Sequence, residues 1–306
     1  MTCAVLSKRA SRVPRVDAIE VAVRRGSVVE STHTVHAVAV EGTTVVAAAG
    51  DPGRVAYLRS SAKPFQALPL VRARDDLSAE EIAIASASHL ATPEAVAAVR
   101  SLLAKAPATE DDLECGPEPT RLEHNCSGKH AGMLALCRAK GWASGGYRLE
   151  THPVQHGCLA EVAAASDTPA EDIPIAVDGC GVVTFALPLE RMARMFGRLE
   201  QLEGGATVAA AMRTHPDLIR GPTAADTLLM RELDGWAAKG GAEGLLCAAG
   251  PGGLGIALKV EDGASRAVGP AAAELLRRLG FETGELGVVP VENSRGELVG
   301  EVVAER

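Results

Sequence analysis

Aromatic side chains are scarce in this chain of 306 residues, where phenylalanine, tryptophan and tyrosine together make up 3%. A core without many large rings must be filled by alanine, valine, leucine and isoleucine. Hydrophobic residues nevertheless amount to 47%, a proportion typical of globular proteins and not of disordered ones. The length allows one large domain or two closely packed ones.

Long apolar runs and an excess of basic residues are also missing. No uninterrupted stretch of about 18 apolar residues occurs, so the sequence predicts no membrane span. The net charge of −8 argues against a dedicated nucleic-acid surface, which usually requires a basic stripe. Residues 1–18 are basic but lack the apolar run of a secretory signal, so we interpret them as a flexible lead-in and expect a cytoplasmic protein.

The cysteines do not form a pattern that suggests a disulfide framework. There are seven of them, an odd number, spaced irregularly from Cys3 to Cys247. In a chain of this length such spacing predicts free thiols or a metal site.

Strand-like patterns lie at both ends of the chain, and helical periodicity dominates the middle. The predicted strands are residues 19–23, 35–40, 43–48, 55–58, 244–248, 255–260, 287–291 and 298–303. The predicted helices are residues 61–72, 80–88, 93–105, 129–138, 187–202, 206–215 and 271–279. This order predicts an α+β fold, with one mainly antiparallel sheet formed from both ends and flanked by helices. We expect a single domain over residues 19–306, with a helical subdomain around residues 75–245.

A serine and a lysine three residues apart occur in the segment Arg59-Ser60-Ser61-Ala62-Lys63-Pro64. At the start of a helix they would share one face, and the free N–H groups there could hold an oxyanion. A neutral lysine amine can remove the proton of a serine hydroxyl and so create a nucleophile. Lys63 would then have to be desolvated or lie near another cation, such as Arg59. This spacing also arises often by chance, and Ser60 could instead be a helix cap.

Two further polar positions lie beside apolar segments. Ser88 belongs to the turn Ser86-Ala87-Ser88-His89, where it could be a second nucleophile or a proton relay. The same residues could equally be a helix end, with Thr92 capping the next helix. Lys259 interrupts an apolar strand, so its amine points either to solvent or into a cleft.

Two cysteines have neighbours that suit metal binding. Cys126 opens a helix that also carries Lys129 and His130, and Cys180 lies in a glycine-rich turn. Two thiolates and one nitrogen would form a three-ligand zinc site with an open fourth position. Because histidine is the commoner ligand, the chemistry favours His130 as the third. Alternatively, both cysteines are ordinary core residues, or Cys126 is a nucleophile assisted by His124 or His130.

Taken in order, these segments resemble the asparaginase II family, the third structural class of L-asparaginase. The similarity extends from about residue 19 to about residue 280. It is carried by Arg24-Arg25-Gly26, Val29-Glu30-Ser31-Thr32-His33, residues 59–69, Ala87-Ser88-His89, residues 126–133, His152-Pro153-Val154-Gln155, Asp178-Gly179-Cys180-Gly181, residues 239–244 and residues 255–259.

The resemblance implies a fold similar to serine β-lactamases and glutaminases, and a homodimer. It implies hydrolysis of the side-chain amide of L-asparagine to L-aspartate and ammonia. Two serine–lysine pairs would carry out this reaction, Ser60 with Lys63 and Ser88 with Lys259.

The resemblance also implies one zinc ion per chain, held by Cys126, Lys129 and Cys180. Lys129 thus replaces His130 as the expected third ligand. The remaining polar residues of the site would bind the substrate or support the ligands, and they are Arg59, His130 and Asp178.

One segment departs from the family pattern. After Ser88-His89 the family usually continues with Ser-Gly-Glu, whereas this chain has Leu90-Ala91-Thr92-Pro93-Glu94. The difference leaves open a related amide substrate. Two alternative functions also remain open, a Cys-His amidohydrolase centred on Cys126 and a catalytically silent homologue that binds zinc or an amino acid.

Overall fold

A computed structural model describes residues 17–305 of the chain. Nearly all of the predicted lead-in, residues 1–18, therefore lies outside the described residues. The strands are β1 (Ile19–Arg25), β2 (Val28–Glu41), β3 (Thr44–Ala49), β4 (Val55–Tyr57), β5 (Ile175–Val177), β6 (Val183–Pro188), β7 (Ala237–Gly241), β8 (Leu245–Ala249), β9 (Leu254–Val260), β10 (Val288–Glu292) and β11 (Leu298–Ala304). The helices are α1 (Lys63–Gln66), α2 (Leu68–Ala73), α3 (Ala79–Ala85), α4 (Pro93–Lys105), α5 (Ser127–Lys140), α6 (Pro153–Ser166), α7 (Leu189–Gly197), α8 (Gly205–Thr214), α9 (Pro216–Arg220), α10 (Ala225–Glu232) and α11 (Val268–Arg278).

The main sheet joins the two ends of the chain. Its strands lie in the order β10-β11-β1-β2-β9-β8-β7, with β3 also paired to β2, and all of these pairs are antiparallel. Helices α7 and α11 both pack on β2, β8 and β9, and this explains why β8 and β9 are buried along nearly their whole length. The predicted α+β fold with a largely antiparallel sheet is thereby confirmed.

The middle of the chain is mostly helical, as predicted, but it also contains a small sheet in the order β4-β6-β5. The sequence patterns did not predict β5, β6, β7, α6, α9 or α10. In α6 the apolar residues are too evenly spread to give a clear helical stripe. None of the helices within residues 17–305 is both long and apolar enough to cross a bilayer.

Two helices that carry site residues differ from their predicted bounds. The helix predicted over residues 61–72 is a 3₁₀ turn, Arg59–Ala62, followed by the separate helices α1 and α2. Pro69 stands at the start of α2, where its missing N–H is tolerated. The helix predicted over residues 80–88 ends at Ala85, so Ser88 lies in the following loop.

Candidate active site

A buried lysine joins the two serine segments. The 3₁₀ turn before α1 directs Lys63 into the interior, where its side chain is fully buried. Its amine donates hydrogen bonds to the hydroxyl of Ser88 (2.8 Å) and to the carbonyl of Ala87 (2.5 Å). Burial lowers the pKa of Lys63, because the charged amine loses its hydration. The structure thus brings Lys63 together with Ser88, a pairing that the sequence analysis did not make.

Ser60 lies one turn before this lysine, half-buried in the 3₁₀ segment. Arg59, immediately before it, has a φ of 48°, an uncommon conformation for a residue with a side chain. Its backbone N–H donates to the hydroxyl of Thr184 (3.0 Å), and its guanidinium donates to the carboxylate of Asp178 (2.5 Å). Strained backbone of this kind is often found at functional sites. Here the contacts with Thr184 and Asp178 hold Arg59, and therefore the backbone that leads into Ser60, in place.

A second buried lysine, Lys239, lies on the edge strand β7. Strand β7 packs against the 3₁₀ segment, and Ser61 donates a hydrogen bond to the carbonyl of Lys239 (2.9 Å). The Lys239 amine donates to the carbonyl of Gly240 (2.8 Å) and lies 3.6 Å from a carboxylate oxygen of Asp226. Burial lowers the pKa of Lys239 to about 7, while the charge of Asp226 acts in the opposite direction.

The predicted pairing of Lys259 with Ser88 is not among the contacts of residues 17–305, in which the Ser88 hydroxyl accepts a hydrogen bond from Lys63. The half-buried amine of Lys259 donates to the carbonyl of Val260, and the charged side chains around it include Arg54 and Glu243. The reason is the strand order. Lys259 belongs to β9, and β8 separates this strand from the edge strand β7, which packs on the Ser60 segment. Two strand spacings correspond to about 10 Å.

His89 fixes the loop that carries Ser88. Its Nδ1 accepts a hydrogen bond from the backbone N–H of Ala91 (3.1 Å), so its Nε2 donates to the hydroxyl of Ser127 (2.8 Å). That hydroxyl in turn donates to the carbonyl of Leu122 (2.7 Å). Burial, assisted by the charge of Lys63, lowers the pKa of His89 to about 4. The ring is therefore neutral at physiological pH, and its hydrogen bonds hold the Ser88 loop against Ser127.

The segment that departs from the family pattern keeps an ordered geometry. Ala91 has a φ of 55°, the left-handed conformation that glycine adopts most readily. Thr92 caps α4 by accepting a hydrogen bond from the N–H of Ala95. Leu90 is 62% exposed, so the change places an apolar side chain on the surface two residues after Ser88.

The sulfur atoms of Cys126 and Cys180 meet beside Lys129. Cys126 precedes the first turn of α5, and Cys180 is supplied by the turn that follows Asp178. The Lys129 amine donates to the Cys180 sulfur (3.0 Å). A hydrogen bond from the Cys180 thiol holds the pKa of Cys126 well below its usual value. Although burial acts to lower the pKa of Lys129, the neighbouring sulfurs raise it.

His130 is not part of this sulfur cluster. Its Nδ1 is hydrogen-bonded to the hydroxyl of Tyr147 (2.7 Å), and its Nε2 has no hydrogen-bond partner among the described residues. Within residues 17–305, no three histidine, cysteine, aspartate or glutamate side chains converge as a metal site would require. A zinc site here therefore needs Lys129 as its third donor, and two sulfurs with one nitrogen are donors that zinc accepts.

The sequence analysis did not assign a role to Lys239 or to Asp226. A signal for the lysine was present in the sequence, since Lys239 directly follows the apolar residues Ala237 and Ala238 and is itself followed by two glycines. A side chain at Gly240 would place its Cβ 3.2 Å from Asp226, which explains the glycine after the lysine. No comparable local pattern marks Asp226.

Comparisons with known proteins give one family match and two distant structural neighbours. A family model described as L-asparaginase II matches residues 21–304. No curated protein matches the chain by sequence. Among solved structures, a protein named Mglu in its native form has 13% identity and a TM-score of 0.48; the match covers 81% of this chain and 65% of Mglu. A β-lactamase from Mycobacterium bovis has 15% identity and a TM-score of 0.35, with 81% and 95% covered. The family match extends over nearly the whole described chain, and the protein is a member of the L-asparaginase II family of amidohydrolases.

Proposed function

We propose that this protein is an L-asparaginase, which hydrolyses the side-chain amide of L-asparagine through a serine activated by lysine. The observation that supports this proposal best is the buried Lys63 amine, which bonds to Ser88 and follows Ser60 by three residues. Within a family of asparaginase-type amidohydrolases, that arrangement offers a nucleophile, a base and a relay.

In the first step the Ser60 oxygen bonds to the amide carbon, and its proton passes to the neutral amine of Lys63. Backbone N–H groups of the 3₁₀ segment stabilise the resulting oxyanion. The carbon–nitrogen bond then breaks, and the leaving nitrogen takes the proton from Lys63 through the hydroxyl of Ser88. Ammonia leaves, and the aspartyl group remains on Ser60 as an ester.

In the second step water attacks this ester and the Ser60 oxygen leaves with a proton. The neutral amine of Lys239 accepts the proton of the attacking water, because a pKa of about 7 leaves it largely neutral above that pH. The proton is then returned to the Ser60 oxygen through Lys63 and Ser88, the groups that carry the proton in the first step. The products are aspartate and the restored enzyme.

The assay for this proposal is ammonia release from L-asparagine, L-glutamine and a β-lactam. We expect release from L-asparagine, and we expect Ser60→Ala to lower kcat by at least about 10³-fold, because loss of the nucleophile leaves only binding and oxyanion stabilisation. Ser144→Ala, at an exposed serine, is the matched control and should retain activity. Wild-type protein that is inactive towards asparagine would refute the function, and full activity of Ser60→Ala would refute the assigned nucleophile.

We also propose that Cys126, Lys129 and Cys180 hold a zinc ion. When bound, zinc would act as a Lewis acid that draws the two sulfurs and the amine together. By joining the start of α5 to the turn after Asp178, these residues would hold Asp178 and its partner Arg59 beside Ser60.

Cys180→Ser is expected to lower the zinc content from about one ion per chain to less than about a tenth, because a hydroxyl is a poor zinc ligand. Cys158→Ser is the control, since Cys158 is also buried and free but belongs to α6. Metal analysis of the purified proteins measures both. Equal zinc contents in Cys180→Ser and wild type would rule out this ligand set.

A further inference from the structure

Arg220 is the last residue of α9, the helix whose end contacts the Ser88 loop. The residue before it, Ile219, accepts a hydrogen bond from the backbone N–H of Ser88 (2.7 Å). The charge of Arg220 is also among those that lower the pKa of Lys239. The end of α9 is thereby fixed to the Ser88 loop, with Arg220 directly after the residue that makes the contact.

The other cations around the site already have partners. Arg59 is paired with Asp178, Lys129 bonds to Cys180, and Lys239 lies against Asp226. By contrast, the half-buried side chain of Arg220 forms no ion pair or hydrogen bond with any residue in the range 17–305. A guanidinium without a partner, at the edge of a site, is suited to bind a carboxylate through two parallel hydrogen bonds.

A cavity of about 270 Å³ lies beside this guanidinium. Its lining includes Arg220, Thr223, Asp226, Gly240 and Gly241. Asp226 accepts a hydrogen bond from the N–H of Gly240 (2.8 Å), so the cavity shares a wall with the residues that hold Lys239. The volume is below that of a typical drug-binding pocket and suits a small molecule of amino-acid size. The two glycines on the edge strand let such a ligand approach the backbone closely.

We propose that Arg220 binds the α-carboxylate of the amino-acid substrate and so restricts hydrolysis to amides that carry this group. The inference rests on the proposed asparaginase function and names the residue that selects the substrate. A carboxylate held by Arg220 would anchor one end of asparagine in this cavity. Its wall residue Gly241 lies against Ser61, next to Ser60, because a Cβ at Gly241 would be 3.1 Å from the Ser61 hydroxyl.

The experiment compares L-asparagine with 3-aminopropanamide, which is asparagine without its α-carboxylate, as substrate or as competitive inhibitor. The kinetics are measured well above pH 7, so that Lys239 is neutral in every variant. In Arg220→Gln we expect KM for asparagine to rise about 10- to 100-fold, kcat to change by less than about threefold, and 3-aminopropanamide to be unaffected. Arg220→Lys should recover part of the loss, because it restores the charge without the two-pronged geometry.

Arg100→Gln is the matched control, since Arg100 is an exposed residue of α4, away from α9. It should leave both constants unchanged. An unchanged KM for asparagine in Arg220→Gln would overturn the proposal, and so would an equal loss for both compounds, which indicates a structural effect. Wild-type protein that does not hydrolyse asparagine at all would instead refute the proposed function, so the two failures are distinguishable.

Discussion

Replacing Lys63 by methionine is expected to lower kcat/KM for L-asparagine by about 10²- to 10⁴-fold, the range for removal of a general base. Methionine fills a similar volume in the fully buried position but has no amine to take the proton of Ser60 or to bond to Ser88. The loss should appear in kcat, because the amine acts on the reacting atoms and not on the amino-acid end of the substrate.

Lys259→Met is the control, because it distinguishes the pairing of Ser88 with Lys63 in the structure from the pairing of Ser88 with Lys259 that the sequence predicts. Lys259 is half-buried on β9, and its amine donates a hydrogen bond to the neighbouring carbonyl of Val260. We expect its removal to change kcat/KM by less than about threefold, within the usual effect of substitutions away from a site. Circular dichroism and thermal unfolding of both variants confirm the fold. If Lys259→Met lost as much activity as Lys63→Met, the pairing of Ser88 with Lys63 would not describe the working enzyme.

These two lysines show how far the sequence could predict the site. The helical spacing of Ser60 and Lys63 is a local property, so the sequence placed both in one segment and required burial to make the amine neutral. Lys259 interrupts an apolar strand that the sequence predicts, whereas the strand of Lys239, β7, is not predicted. A strand pattern also does not reveal the place of its strand in the sheet. The order β9-β8-β7 is set by contacts between distant segments, and that order shows that the strand of Lys239, rather than the strand of Lys259, packs on the Ser60 segment.

The nitrogen donor beside the cysteines illustrates a similar limit. Lys129 and His130 follow Cys126 by three and four residues, so both lie near it on one face of α5. Chemistry alone favoured histidine. The structure directs His130 to Tyr147, which comes from a later loop, and leaves Lys129 on Cys180. The fold class needed less information, because strands at both ends and helices between them are visible as periodicities.

Asp226→Asn is expected to extend activity to lower pH. In the wild type the pKa of Lys239 is about 7, so the amine becomes protonated below that pH and can no longer accept the proton of water. The carboxylate of Asp226 favours the charged amine, and its removal therefore lowers this pKa further. An opposite charge at such a distance shifts a pKa by about 1 to 3 units, so the acidic limb of the kcat profile should move down by at least about one pH unit.

Other charged groups around Lys239 do not change the direction of this pKa shift. Besides Asp226 on α10, the groups that act on it are Lys63 on α1, Arg220 on α9 and Cys126 before α5. The two cations favour the neutral amine, and they remain in the variant. The N–H of Gly240 also keeps an acceptor, because the side-chain amide oxygen at position 226 of the variant can replace the carboxylate oxygen.

The measurement is kcat as a function of pH for the wild type, Asp226→Asn and the control Asp234→Asn, in which an exposed carboxylate is removed. A purely structural role for Asp226 would lower kcat at every pH and leave the midpoint pH of the acidic limb unchanged. A shift towards lower pH, with the control unchanged, instead identifies Lys239 as the group whose neutral form is required. A limb that moved upward would mean that the amine acts in its charged form, and the assignment of Lys239 as the base for water would then be wrong.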